Sequence, residues 1–160
     1  MSGRWTLFDQ LFDGRKTRIL TIVDAFTRYS PAIEPRLSWR GTGVVDVLER
    51  ICRETGFPRT IRVDQGPEFI SKDLDLWAYR RAVVLDFSRP GKPTDNAFIE
   101  SLNGKLRAEC LNVHWFTSLD EMRLICEDWR RDYNEVRPHS AIGNRPPVSL
   151  MNCSEHHGPT

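Results

Sequence analysis

Asp64 lies in the stretch RVDQGPEF (62–69), where an apolar strand-like run of Thr60, Ile61 and Val63 ends on an acid and turns at once through Gly66 and Pro67. Asp, Gly and Pro are ordinary turn formers, so this carboxylate has a local use available in accepting hydrogen bonds from its own backbone. Glu100 opens a second use: separated from Asp64 by 35 residues, it stands in a row with Asn96, Asn103 and Arg107, whose 4-3-4 spacing places them on one helix face. Such a row reads either as a solvated face or as a polar surface with a purpose. Carboxylates are hard oxygen ligands suited to Mg²⁺ or Mn²⁺, and two such ions about 3.5–4 Å apart can clamp both oxygens of an in-line phosphoryl displacement.

The elements that would position these acids are legible in the patterning. Leu7–Leu11 and Arg18–Val23 flank Asp13-Gly14, a two-residue hairpin signal, so the chain opens with an antiparallel pair. A third strand is expected over Tyr29–Glu34, stopping at Pro35. Val44, Val45, Leu48, Ile51 and Cys52 follow helical spacing and close on Gly56 and Pro58. After the strand Thr60–Val63, Ser71 is a good N-cap for a helix carrying Leu74, Trp77 and Ala78. VVLDFS (83–88) is a short strand, and Thr94 or Asp95 can cap the next helix, whose core stripe reads Phe98, Leu102, Leu106 and Cys110. Ser118–Glu121 fits the capping box of a long last helix through Leu119, Met122, Ile125, Cys126, Trp129 and Tyr133. The order β-β-β-α-β-α-β-α-α implies a mixed sheet covered by helices. RPHSAIGNRPP ends regular structure, giving one domain over 1–150 and a frayed tail over 151–160.

A chain of 160 residues fits one core, and no apolar run approaches the roughly 20 residues of a membrane span. The N-terminus has no secretory pattern, and Cys52, Cys110, Cys126 and Cys153 are scattered with no C-x-x-C pair, so reduced thiols and a cytoplasmic location are expected. Net charge is +1, but Arg80, Arg81, Arg89, Lys92, Lys105 and Arg107 outnumber the acids Asp86, Asp95 and Glu100 between residues 80 and 107. That excess suits either a phosphate-binding face or solvated surface.

The stretches TIVDAFTR (21–28), RVDQGPEFIS (62–71), LDFSRPGKPTDNAFIESLNGKLRAECL (85–111) and WRRDYNEVRPHSAIGNRPP (129–147) resemble the catalytic half of bacterial insertion-sequence transposases, whose core is similar to retroviral integrase. The resemblance covers nearly the whole chain. It implies a ribonuclease H-like fold, a mixed five-stranded sheet with helices on both faces. It also implies metal-dependent DNA cleavage and strand transfer, with two Mg²⁺ or Mn²⁺ ions held by three carboxylates.

By position, Asp64 and Glu100 match the second and third acids of that arrangement, and Arg107 matches a basic residue turned toward DNA. Lys92 and Lys105 are further candidates for phosphate contact. The first acid departs from the pattern. Counting back from DQLFDG (9–14) places it at Trp5, so the strand start is either lost or altered, as if the chain were N-terminally truncated. Asp9 is a substitute only if the first hairpin is shortened, since four residues at about 3.3 Å each separate it from position 5. Asp24 matches a family position outside the three acids, and Asp13 belongs to the turn. Gln65 stands where the family usually has Asn. The family's helix-turn-helix half has no counterpart here, and strand transfer at two element ends implies a homo-multimer on DNA. The alternative expectation is a non-catalytic remnant that folds and binds DNA or a transposase partner.

Overall fold

The computed structural model describes residues 2–64, 70–87 and 97–152, with backbone alone at 2–6 and 152. Five strands, β1 (Ser2–Gln10), β2 (Lys16–Val23), β3 (Ala32–Arg36), β4 (Thr60–Val63) and β5 (Val84–Phe87), form one sheet in the order β3-β2-β1-β4-β5. The first three are antiparallel, and β4 runs parallel to both β1 and β5. Among the described residues the α-helices are α1 (Gly41–Thr55), α2 (Lys72–Arg80), α3 (Ala97–Leu106), α4 (Leu119–Arg131) and the short α5 (Val148–Asn152). The π-helical turns Arg107–Leu111 and Asp132–Val136 extend α3 and α4.

Alternation along β2 splits the core into two. Leu20 and Ile22 pack with Val44, Val47, Leu48 and Ile51 of α1 and with Leu74 and Trp77 of α2. Ile19 and Val23 pack with Ile99, Leu102 and Leu106 of α3 and with Met122 and Cys126 of α4. Successive strand residues face opposite sides, so a sheet covered on both faces needs apolar residues at both parities. Each fully buried Leu or Ile contributes about 1.5–3 kcal/mol from the area removed from water. The expected caps form: Ser71 Oγ accepts from Leu74 N (3.1 Å), and Ser118 Oγ accepts from Glu121 N (3.1 Å).

Four expectations change. Pro35 does not end the third strand but lies inside β3, opposite Ile19. β3 is an edge strand, where a missing N–H costs no ladder bond. The core stripe of α3 is Ile99, Leu102, Leu106 and Cys110, while Phe98 is exposed. Asn103, expected in one polar row with Glu100, is buried. Its burial is tolerable because Thr21 Oγ1 donates to its Oδ1 at 2.7 Å. The helix α5 follows the segment expected to end regular structure, and residues 153–160 lie outside the described residues.

Candidate active site

Asp64 is half-buried and directly follows β4, at the carboxyl end of that strand. Two ladders fix which part of β1 lies beside it. The parallel pairing Ser2↔Arg62 puts Arg4 level with Asp64, and the antiparallel pairing Arg4↔Thr21 puts the same residue opposite Thr21. Thr21 bonds Asn103 of α3, one helical turn after the exposed Glu100. Arg107 Nη2 donates to Phe8 O at 3.1 Å, so α3 runs along β1 in the strand's own direction and its first turn lies toward the Ser2 end. The registers therefore connect Asp64, Arg4, Thr21 and the Glu100 helix at one end of the sheet.

This geometry revises the position of the first acid. The β1–β2 register shifts between Trp5 and Leu7, leaving Thr6 as a bulge, so Trp5 pairs with Leu20 and Arg4 with Thr21. An extra residue in one strand moves everything before it by one place and to the other face. Counting from DQLFDG assumes no bulge and reaches Trp5; the ladder reaches Arg4. Neither is a carboxylate.

Asp9 is not brought to Asp64. It lies five residues beyond Arg4, about 16 Å along a strand at 3.3 Å per residue, and the hairpin is not shortened, because β1 pairs with β2 as far as Gln10↔Lys16. Its Oδ1 accepts from Gln10 N (2.8 Å), and its buried Oδ2 has no hydrogen-bond partner. Its charge is felt by the thiols of Cys110 and Cys126. Asp24 builds a turn instead, its Oδ1 accepting from Phe26 N and its Oδ2 from Thr27 Oγ1, both at 3.0 Å. Asp13 does likewise in the hairpin: the backbone N–H of Arg15, aided by its guanidinium, holds that carboxyl below its ordinary pKa.

Arg107 is half-buried and spends part of its donor set on β1. Lys105 is exposed on the opposite flank of α3, and Lys92 and Gln65 lie outside the described residues. Among the described residues, no group of three or more His, Cys, Asp or Glu side chains is placed to hold a metal ion. Asp64 and Glu100 supply two carboxylates, and the strand position level with Asp64 supplies none, so this set does not fit a three-carboxylate centre.

The C-terminal motif has a role that its residue types alone did not disclose. Asn134 Nδ2 donates to Ser30 O and its Oδ1 accepts from Ser30 N, both at 2.8 Å, clamping the entry to β3. His139 packs edge-on against Tyr133 (4.4 Å between ring centroids), with its Nε2 2.9 Å from Tyr133 O. Burial keeps the His139 pKa below its ordinary 6.5, and the charges of Lys105, Arg137 and Arg28 lower it further. The pairing of a polar residue with an aromatic neighbour in WRRDYNEVRPH was the available signal.

A five-stranded mixed sheet with helices on both faces and an acid at the end of its fourth strand defines a ribonuclease H-like core. The sequence matches the integrase core domain over residues 2–93, with a second integrase core domain match over residues 81–147, and the chain belongs to this family. It is 48% identical over 141 residues to the insertion element IS407 uncharacterized 31.7 kDa protein of Burkholderia multivorans, covering 88% of this chain and 51% of that protein. Identity to the insertion element IS476 uncharacterized 39.2 kDa protein of Xanthomonas euvesicatoria is 46%, over 90% of this chain and 42% of the relative. The chain thus spans about half the length of these relatives. Its backbone resembles the catalytic core domain of BIV integrase (TM-score 0.72, 13% identity, 97% of this chain and 95% of that one). It is also similar to the HTLV-2 integrase catalytic core domain solved in complex with magnesium (TM-score 0.69, 14% identity, 94% and 95%). Among the described residues, no helix is long and apolar enough to cross a membrane.

Proposed function

We propose that this chain is a transposase catalytic core of the DDE polynucleotidyl transferase type, acting as a homo-multimer on mobile-element DNA, in which Asp64 and Glu100 are two of the family's metal carboxylates. A complete set would hold divalent ions, Mg²⁺ or Mn²⁺, to polarise the attacked phosphodiester. The reading that the geometry favours for this copy is a domain that binds DNA through Arg107 and the basic residues near it, with cleavage crippled by the missing first acid. The observation that carries it is the double register placing Arg4, a cation, level with Asp64 and opposite Thr21.

The test is cleavage and joining of a labelled duplex bearing an insertion-element end, in Mg²⁺ or Mn²⁺. The expected result is binding without cleavage by the natural chain and a gain of cleavage in Arg4→Asp. Cleavage by the natural chain that Glu100→Gln abolishes would overturn the incomplete-site reading. Absence of DNA binding would overturn the function itself.

A further inference from the structure

Helix α3 has a second flank that the carboxylates do not use. Phe98, Ser101 and Lys105 lie on it, at i, i+3 and i+7, away from Glu100 and Arg107. With Arg28 and the C-terminal loop around Ser140 and Asn144, they line an open cavity of about 370 Å³. No carboxylate lines it among the described residues.

Neither cation forms an ion pair among the described residues. Arg28 stacks over the Phe98 ring, its guanidinium carbon 3.4 Å from the centroid, and its Nη1 donates to Ala25 O. Its remaining N–H groups donate no hydrogen bond among the described residues. The backbone of Arg28 is left-handed (φ 65°), a conformation a bulky residue adopts at a cost of about 1 kcal/mol or more, and one that clusters where a side chain is required. Lys105 makes no ion pair among the described residues. The acid one turn further on, Glu109, is engaged by Arg137 (2.7 Å) and by Trp129 Nε1 (3.1 Å).

Between the two flanks the solvent-facing ridge of α3 and the π-helical turn after it carries Ala97, Gly104 and Ala108, with Ser101 at its edge, all exposed. A Cβ at Gly104 would meet nothing within 4 Å. The helix therefore carries a low saddle joining the Glu100 side to the cationic cavity.

We propose that a DNA strand crosses this saddle and seats a backbone phosphate in the cavity, between Arg28 and Lys105, with the Ser101 hydroxyl as a further donor. Charge-assisted bonds from a guanidinium and an ammonium suit a phosphodiester, and neither reads base sequence. The cavity is a positioning site, set one strand-crossing away from the acids. It rests on the DNA-binding reading given above.

The experiment is fluorescence anisotropy of a fluorescein-labelled random 20-base-pair duplex, titrated with the full chain from about 50 to 200 mM KCl, a range over which phosphate contacts change affinity strongly. Each lost phosphate contact lowers the slope of log K against log salt by about one. Lys105→Gln is expected to lower it so, and Ser101→Glu, which puts a carboxylate at the cavity, to weaken binding more than Lys105→Gln does. Gly104→Leu separates contact from folding, because it raises helix propensity and so keeps or raises the thermal midpoint, while its side chain obstructs the saddle and weakens binding at least severalfold. If the natural chain binds and Arg107→Gln weakens it while all three variants bind as tightly and with the same slope, the cavity proposal is overturned and the DNA reading stands. If the natural chain does not bind the duplex, both fall.

Discussion

The two flanks of α3 make different demands on the chain. On one, the proposed carboxylate pair of Asp64 and Glu100 would need a third acid at the strand position level with Asp64, and Arg4 occupies that position. On the other, Arg28 and Lys105 line a cavity with hydroxyl and amide groups that can meet a phosphate from several directions. Divalent-ion chemistry fails when one ligand is replaced, because the remaining oxygens cannot neutralise the ion or fix its coordination. Backbone electrostatics degrade gradually, each phosphate contact contributing its own part. A domain can therefore lose the first property and keep the second.

The largest effect should come from restoring the missing acid. Arg4→Asp is expected to raise Mn²⁺-dependent cleavage by on the order of 10²–10³, the equivalent of the several kcal/mol that a metal centre supplies at about 1.4 kcal/mol per tenfold. Trp5→Asp should gain less than tenfold, since the bulge at Thr6 sets position 5 opposite Leu20. Equal gains would show that the bulge does not set the register. Next in size, Asn134→Ala should destabilise the fold by about 1–3 kcal/mol, read by urea unfolding, because it orphans the buried N–H of Ser30, whose C=O keeps the bond from Arg130 Nη1 at 3.0 Å. The same variant should leave the salt dependence of DNA binding unaltered in the folded fraction, separating the C-terminal motif's structural clamp from the cavity beside it. Lys105→Gln, with its slope change of about one, ranks third.

The smallest effect concerns pH. His139 is held neutral by burial, so its folded pKa lies below the unfolded value near 6.5. The unfolded chain then binds more protons as the pH falls through 6.5, and the stability that His139 contributes above that pH is lost on acidification toward its folded pKa. Unfolding free energies should fall between pH 7 and 5, and His139→Gln should flatten that part of the profile. An unchanged slope would count against a buried neutral imidazole.

Much of this arrangement was legible from residue types. The hairpin at Asp13-Gly14, the caps at Ser71 and Ser118 and the alternation of helices with β4 and β5 all rest on local chemistry that tertiary context reinforces. The bulge at Thr6 was not legible, since it follows from how β1 must satisfy two neighbouring strands and leaves no mark in composition. Phe98 was misplaced for a related reason. A four-residue stripe starting at Phe98 and one starting at Ile99 are both good helical patterns, and Arg28, 70 residues away in sequence, supplies the stacking partner that lets Phe98 face outward. For the proposed site, the placement of Asp64 at the end of a strand and of Glu100 on a helix could be read from their surroundings. The cationic cavity could not, because it is assembled from a turn after β2, one flank of α3 and the C-terminal loop.

Pro35 has a further consequence. A strand at the rim of a sheet is a template on which another chain can add hydrogen bonds. In β3 that template is interrupted twice: Pro35 offers no N–H, and its carbonyl accepts from Arg123 Nε of α4 at 3.2 Å. A strand added at β3 would therefore lose both of these hydrogen bonds, which disfavours strand-swapped assembly and fibril growth along that rim of the sheet.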